Sequence, residues 1–228
     1  MPAAAIALPP PIREGDRLDS SEFLRRWEAM PSLKRAELID GVVFMPSPVS
    51  YPHSDVHKKM CGFLWLYEEL TAGCESAIEC TWLMGLKDVP QPDLFLRILA
   101  ECGGQSQVKD RYATGAPEMV VEISASSLSR DLGVKLDLYL RVGVREYVTV
   151  LPLSKQVTWR YVSRGRYREI APSEDGLLRS RTFPGLWLDP AALWNPKRSV
   201  RKALEQGTRS PEHATFVRRL AAAQKRNS

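Results

Sequence analysis

The chain has 228 residues, with 32 Lys+Arg against 27 Asp+Glu, a formal net charge of +5, 44% hydrophobic and 26% charged residues. Those proportions suit one generous domain, or one domain and a tail, and exclude a wholly disordered chain, a collagen and a disulfide-rich miniprotein. No apolar run approaches the roughly 18 residues of a membrane helix, the short Pro-rich start lacks a basic n-region, and Cys61, Cys74, Cys80 and Cys102 form no C-x-x-C pair, so the expectation is a cytoplasmic protein with reduced thiols, no zinc site and no membrane span.

In chain order, residues 1–17 read as a flexible lead. Asp19-Ser20-Ser21-Glu22 has the form of a capping box that opens a helix, and Pro31 stops it. Asp40-Gly41 between two β-prone runs predicts a hairpin over residues 35–46. Val56, Met60, Phe63, Leu64, Tyr67 and Leu70 recur at helical spacing, which predicts a helix from about 53 to 72, capped by Gly73. A strand is expected over residues 77–84, a short apolar run over 92–96, and a polar, Gly-rich loop over 100–115.

Residues 118–124, with Met119-Val120-Val121 at their centre, make the most buried-looking strand. Leu128, Leu132, Leu136, Tyr139 and Leu140 then mark a helix ended by Gly143, and residues 145–150 form the next strand. Strand, helix, strand is a right-handed crossover if the two strands are parallel neighbours. A hairpin is expected around residues 163–166 and a short helix near residues 189–194. Residues 196–228 carry nine Lys/Arg and two acids, +7 in all, which leaves −2 for residues 1–195. This basic C-terminal tail is read as a solvated tail or terminal helix, with His213 in it solvated. A cationic segment of this kind also attracts polyanions by counterion release. Neither G-x-x-x-x-G-K nor G-x-G-x-x-G occurs.

Two acids stand where apolar residues belong. Glu122 interrupts Val120, Val121 and Ile123, and Asp93 opens the apolar run of residues 94–96. A carboxylate buried without a partner costs several kcal/mol, of the order of 5. Two of them on adjacent strands at one sheet end would repel each other, and a divalent cation with hard oxygen ligands relieves that repulsion. Lys135, on the helix that follows, can reach back over the same sheet end; it can also form an ordinary surface pair with Asp131 four residues earlier. Glu37 is open between a site role and an exposed edge-strand acid. His53 and His57, four residues apart, share one face of their helix and are read as polar residues at its start, with no third metal ligand in register. Trp65, Trp82, Trp159, Trp187 and Trp194 are read as core or interface residues.

The blocks AELIDGVVFMPSP (36–48), QPDLFL (91–96), APEMVVEISASSLSRDLGVKLDLYLRVGVREYVTV (116–150) and FPGLWLDPAALW (183–194) resemble the bacterial Uma-type "putative restriction endonuclease" family, of the PD-(D/E)xK superfamily. The resemblance spans about residues 18–195, a nuclease-like domain between the lead and the basic tail. It implies a restriction-endonuclease-like α/β fold: a central mixed sheet flanked by helices, with an N-terminal helix and β-hairpin. It also implies that Asp93 is the acid of the PD motif, Glu122 the second acid, Glu37 the acid of E-L-I-D-G, and Gln91 a polar neighbour of the site. The superfamily places lysine two residues after the second acid, where this chain has Ser124; the lysine is implied to come from R-D-x-x-x-K, which ends at Lys135.

The implied chemistry is hydrolysis of phosphodiester bonds in nucleic acid, DNA being the expected partner. Asp93, Glu122 and Glu37 would hold Mg2+ or Mn2+, with the Ile123 carbonyl close by, and Lys135 would stabilise developing charge. A homodimer is expected where both strands of a duplex are cut. Two other readings stay open. Ser124 in place of lysine would suit a fold that binds nucleic acid, or acts as a scaffold, without cleaving. Paired acids at the bottom of a deep apolar pocket would instead suit a small-molecule hydrolase.

Overall fold

A computed structural model describes residues 8–109, 111–124 and 128–227. The elements are α1 (Ser20–Glu28), β1 (Glu37–Ile39), β2 (Val42–Phe44), α2 (Tyr51–Glu69), β3 (Cys74–Ile78), β4 (Trp82–Leu83), β5 (Leu94–Ile98), β6 (Ser106–Lys109), β7 (Tyr112–Gly115), β8 (Met119–Ile123), α3 (Leu128–Asp131), α4 (Val134–Val142), β9 (Glu146–Leu151), β10 (Gln156–Ser163), β11 (Arg166–Glu169), β12 (Leu178–Arg179), β13 (Trp187–Leu188), α5 (Val200–Thr208) and α6 (Pro211–Asn227). Single 3-10 turns cover Ala100–Cys102 and Pro190–Leu193.

The main sheet runs β11-β10-β9-β8-β5-β3. Only β8 and β9 pair in parallel, with Met119 opposite Glu146, and α3 and α4 supply the crossover between them. The other neighbours are antiparallel, so the sheet is mixed. Alternation along β8 decides its two faces. Met119, Val121 and Ile123 meet Val56, Met60, Phe63, Leu64 and Tyr67 of α2 in the larger core. Val120 points the other way, to Leu138 and Tyr139 of α4. The sheet is therefore covered on both faces, which is why β5 and β8 are buried at every position.

Several expectations meet the structure directly. Asp19 caps α1, its carboxylate accepting the Glu22 N–H at 2.8 Å; the box is not reciprocal, because Glu22 turns to Arg25 and Arg26. Asp40 and Gly41 both have positive φ, 50° and 74°, as a type I′ hairpin turn requires.

Others need correction. Residues 100–115 are not all loop: β6 and β7 pair, and β7 runs parallel to β4. Their mostly exposed polar side chains hide the strand period; only Ser106 and Ala113 are buried, Ala113 against Trp82. The single strand expected over 77–84 is the end of β3 and the whole of the two-residue β4. The helix over 128–140 is broken at Gly133, where a Cβ would stand 2.6 Å from the Ser129 carbonyl oxygen. Its buried face is Lys135, Leu138 and Tyr139, while Leu132 is exposed. Leu70, read as core, is also exposed.

Residues 12–17, expected as part of a flexible lead, lie along the first hairpin. The Gly15 N–H donates to the Val43 carbonyl at 2.9 Å, and Ile12 is buried beside Phe23 and Val43. Residues 1–7 of that lead, and the 125–127 segment of the serine-rich loop, lie outside the described residues. Of the two readings of the basic C-terminal segment, the helical one holds, as the two helices α5 and α6, but they are packed rather than solvated. They bury Leu204, Phe216 and Leu220 in the larger core. His213, read as solvated, is buried with Nε2 2.9 Å from the Thr71 hydroxyl. Apolar residues at helical spacing dock both helices, and the charges occupy the outer faces. No described helix is long and apolar enough to cross a membrane.

Candidate active site

The Asp93 end of β5 meets the Glu122 end of β8. Leu94 pairs with Val121, and one step further Asp93 stands beside Glu122, close enough for each to feel the other's charge. The Asp93 Oδ2 atom accepts the Ile123 N–H at 2.8 Å, which locks it onto the neighbouring strand. On the covering helix α4, Lys135 and Tyr139 are four residues apart and share a face. Both reach the same oxygen of Glu122: Lys135 Nζ at 2.9 Å and the Tyr139 hydroxyl at 2.7 Å.

The hairpin brings in the third acid. Glu37 Oε1 lies 2.8 Å from Lys135 Nζ and accepts the Gln91 N–H at 2.8 Å. Gln91 thus contributes through its main chain, while its side-chain Nε2 donates to the Glu79 carbonyl. Ser124 stands where the superfamily has lysine, and its hydroxyl donates to Asp131 Oδ2 at 2.6 Å. Asp131 and Lys135 are both buried, at 1% and 3% exposure, so the surface-pair reading of these two does not hold. Asp93, Glu122, Lys135 and Glu37 come together; Gln91 and Ser124 support them from behind.

A cleft of about 270 Å³ opens over these groups, lined by Arg35, Glu37, His53, Asp93, Glu122, Ile123, Arg130 and Lys135 among others. Pro46, Pro48, Val49 and Leu153 line it alongside these charged groups. Arg35 escaped the sequence reading. Its Nη2 lies 2.8 Å from Asp93 Oδ1 and 3.2 Å from the Gln91 carbonyl. Arg130 sits 3.9 Å from Glu37 and 4.7 Å above the Phe44 ring. Tyr139 was read only as helix core, although its place four residues after Lys135 was a usable signal. Nothing local marks Arg35, since its contacts with Gln91 and Asp93 span more than fifty residues.

Electrostatics divides the two principal acids. Burial is the largest influence on Asp93 and pushes its pKa up, but the Arg35 guanidinium and the bonds from Arg35 and Ile123 outweigh it and leave Asp93 below the usual value. Burial pushes Glu122 up to about 8, against the pull of Lys135 and with help from the charges on Asp93, Asp131 and Glu37. Lys135 is also raised: burial disfavours its charge, but Glu122, Glu37 and Asp131 together outweigh that. Raised values on both partners mean that the cluster retains protons, because more carboxylates than cations share one buried space.

A surplus of buried hard oxygen donors beside an open cleft is chemistry that fits a divalent cation. All three expected ligands are engaged within the protein: Glu37 with Lys135 and the Gln91 N–H, Glu122 with the same Lys135 and Tyr139, and Asp93 with Arg35 and the Ile123 N–H. Among the described residues no group of three or more His, Cys, Asp or Glu side chains is arranged to hold a metal ion. Asp93 and Glu122, on adjacent strands at one sheet end, are the pair that fits such an ion, and Mg2+ is commonly held by one or two carboxylates with water and phosphate oxygens. His53 and His57 are close by: His53 Nε2 is 3.9 Å from Asp93 Oδ1, and His57 Nε2 is 3.2 Å from the Asp93 carbonyl.

Comparison with known proteins agrees with this architecture. A crystal structure of "a putative nuclease belonging to DUF820" from Anabaena variabilis ATCC 29413 matches with a TM-score of 0.57, over 81% of this chain and 96% of that one, at 15% identity. At that identity the likeness speaks for the fold, which is restriction-endonuclease-like. No curated protein matches the chain. Residues 21–191 match the sequence pattern of one family, a stretch that runs from α1 through the cleft to the last 3-10 turn. The chain therefore belongs to the Uma2 family, described as "putative restriction endonuclease".

Proposed function

We propose that the cleft hydrolyses phosphodiester bonds of nucleic acid, DNA in particular, with Mg2+ or Mn2+ held by Asp93 and Glu122. Family and fold support a nuclease. The observation that carries the finer reading is the Lys135 ammonium, buried 2.9 Å from Glu122 on α4, in the crossover that follows that acid's strand. The lysine missing at position 124 is thereby replaced from another element at the same carboxylate.

A bound divalent cation would polarise the phosphoryl oxygen and lower the pKa of a bound water. The chain's own groups do the rest. Asp93 is kept ionised by Arg35 and fixed by the Ile123 N–H. Glu122 is oriented by Lys135 and Tyr139. Lys135 offers a charge that is never lost near neutral pH to the negative charge that builds on phosphate. Arg35 and Arg130 on the cleft wall favour entry of a phosphate backbone.

One observation favours a binding role without cleavage: Asp93, Glu122 and Glu37 already hold protein cations. The two readings separate in one experiment. Purified protein is incubated with plasmid, single-stranded DNA and RNA in Mg2+, Mn2+ or EDTA. Metal-dependent nicking of DNA, lost in Asp93→Asn and Glu122→Gln, is the expected result. Failure to cut any nucleic acid with either ion would overturn the nuclease reading.

A further inference from the structure

Helix α2 buries Val56, Met60, Phe63, Leu64 and Tyr67 against the sheet and turns Lys58, Gly62, Trp65 and Glu69 outward. Of the six tryptophans, Trp65 alone is exposed, at 57%. The Lys58 side chain is 75% exposed, and a Cβ placed on Gly62 would meet nothing within 4 Å. The outward positions are spaced four, three and four residues apart, the rhythm of a coiled-coil seam.

This stripe is complementary to itself. A two-fold axis crossing α2 between Phe63 and Leu64 sets residue 62 opposite residue 65 of a second copy, and residue 58 opposite residue 69. Each indole then lies over the bare backbone of a glycine, and each ammonium faces a carboxylate. In an antiparallel pair these are the matched layers, and a two-fold contact requires this kind of reciprocity. A different partner would need only one of these matches; a second copy explains all four positions. We propose that the protein dimerises through the outer face of α2.

The seam is short, smaller than the roughly 1,600 Å² of a standard interface, so the dimer dissociates in the micromolar range. In the dimer the two His53 residues, and the clefts they line, stand about 30 Å apart along the paired helices, given a rise of about 1.5 Å per residue. The inference does not depend on cleavage: a protein that cuts nothing would still show this dimer.

Sedimentation equilibrium of the full chain over a micromolar concentration series tests it. The wild type is expected to move from monomer to dimer across the series. Trp65→Ala, at a residue more than half exposed, should weaken association at least tenfold. Lys58→Glu should weaken it as well, by setting two acids face to face, although Lys58 also pairs with Asp55 on its own helix at 3.2 Å. The decisive variant is Lys58→Glu with Glu69→Lys, which exchanges the charges and should restore wild-type association. A monomer at every concentration overturns the proposal. So does a dimer indifferent to Trp65→Ala, or one that the charge exchange fails to rescue.

Discussion

Strands β8 and β9 are flanked by buried acids at both ends, and the two ends treat them differently. At one end, Glu118 accepts the Ile98 and Gln105 N–H groups at 2.8 and 3.1 Å. Beside it, Glu146 accepts the Trp159 indole, the Ser180 hydroxyl and the N–H groups of Arg181 and Thr182. Both are completely buried, and burial pushes both pKa values up. At the other end, Glu122 and Glu37 share the Lys135 ammonium, and Asp93 holds a guanidinium, under an open cleft. A carboxylate wrapped in neutral donors is a clamp: it pins the loop at residues 180–182 onto the sheet. A carboxylate that shares a side-chain cation beside open space can exchange that cation for another. Burial alone therefore does not mark a site; the kind of partner, and whether the group borders a cleft, does.

The comparison can be broken by substitution. The largest effect is expected at the cleft. Lys135→Met should remove metal-dependent cleavage by about a thousandfold or more, since it deletes the one cation fixed beside Glu122; turnover of plasmid per folded molecule measures it. A buried pair broken on one side also costs about 3–5 kcal/mol, so a melting curve must show that the variant is folded.

At the clamp end the pattern reverses. Glu146→Ala should cost about 3 kcal/mol of stability, because it strands buried donors. Cleavage per folded molecule should stay unchanged. Denaturant unfolding and the plasmid assay together check this; loss of turnover at full stability would erase the distinction between the two ends.

The smallest expected effect is on the pH dependence of stability. Glu122 in the folded chain titrates at about 8, above its ordinary value near 4.5. Between those values the folded state keeps a proton that the unfolded chain has lost. This contribution is present in full at low pH and disappears as pH rises toward about 8. In metal-free buffer the melting temperature of the wild type should fall across that window, and Glu122→Gln should flatten the fall. An unchanged slope would mean that Glu122 is ionised throughout.

Much was legible in the chain because it rests on local rules. The Asp40-Gly41 turn needs two positive φ values, the period of α2 matches its core contacts, and an acid inside Val-Val-Glu-Ile contradicts its neighbours wherever the strand lies. The β6–β7 pairing was not legible, because exposed polar strands leave no alternation to read. Arg35 was not either, since an arginine outside any motif has no local reason to be special.

The sequence by itself determined which residues would be costly to bury: Asp93, Glu122 and Glu37, and the Lys135 that could offset them. Only the tertiary structure decided who offsets whom. It gave Asp93 to Arg35, set Glu37 and Glu122 on one ammonium, and brought Tyr139 to the same oxygen. Charge interactions depend on distance through space, and chain separation says nothing of that distance until the strands are in register.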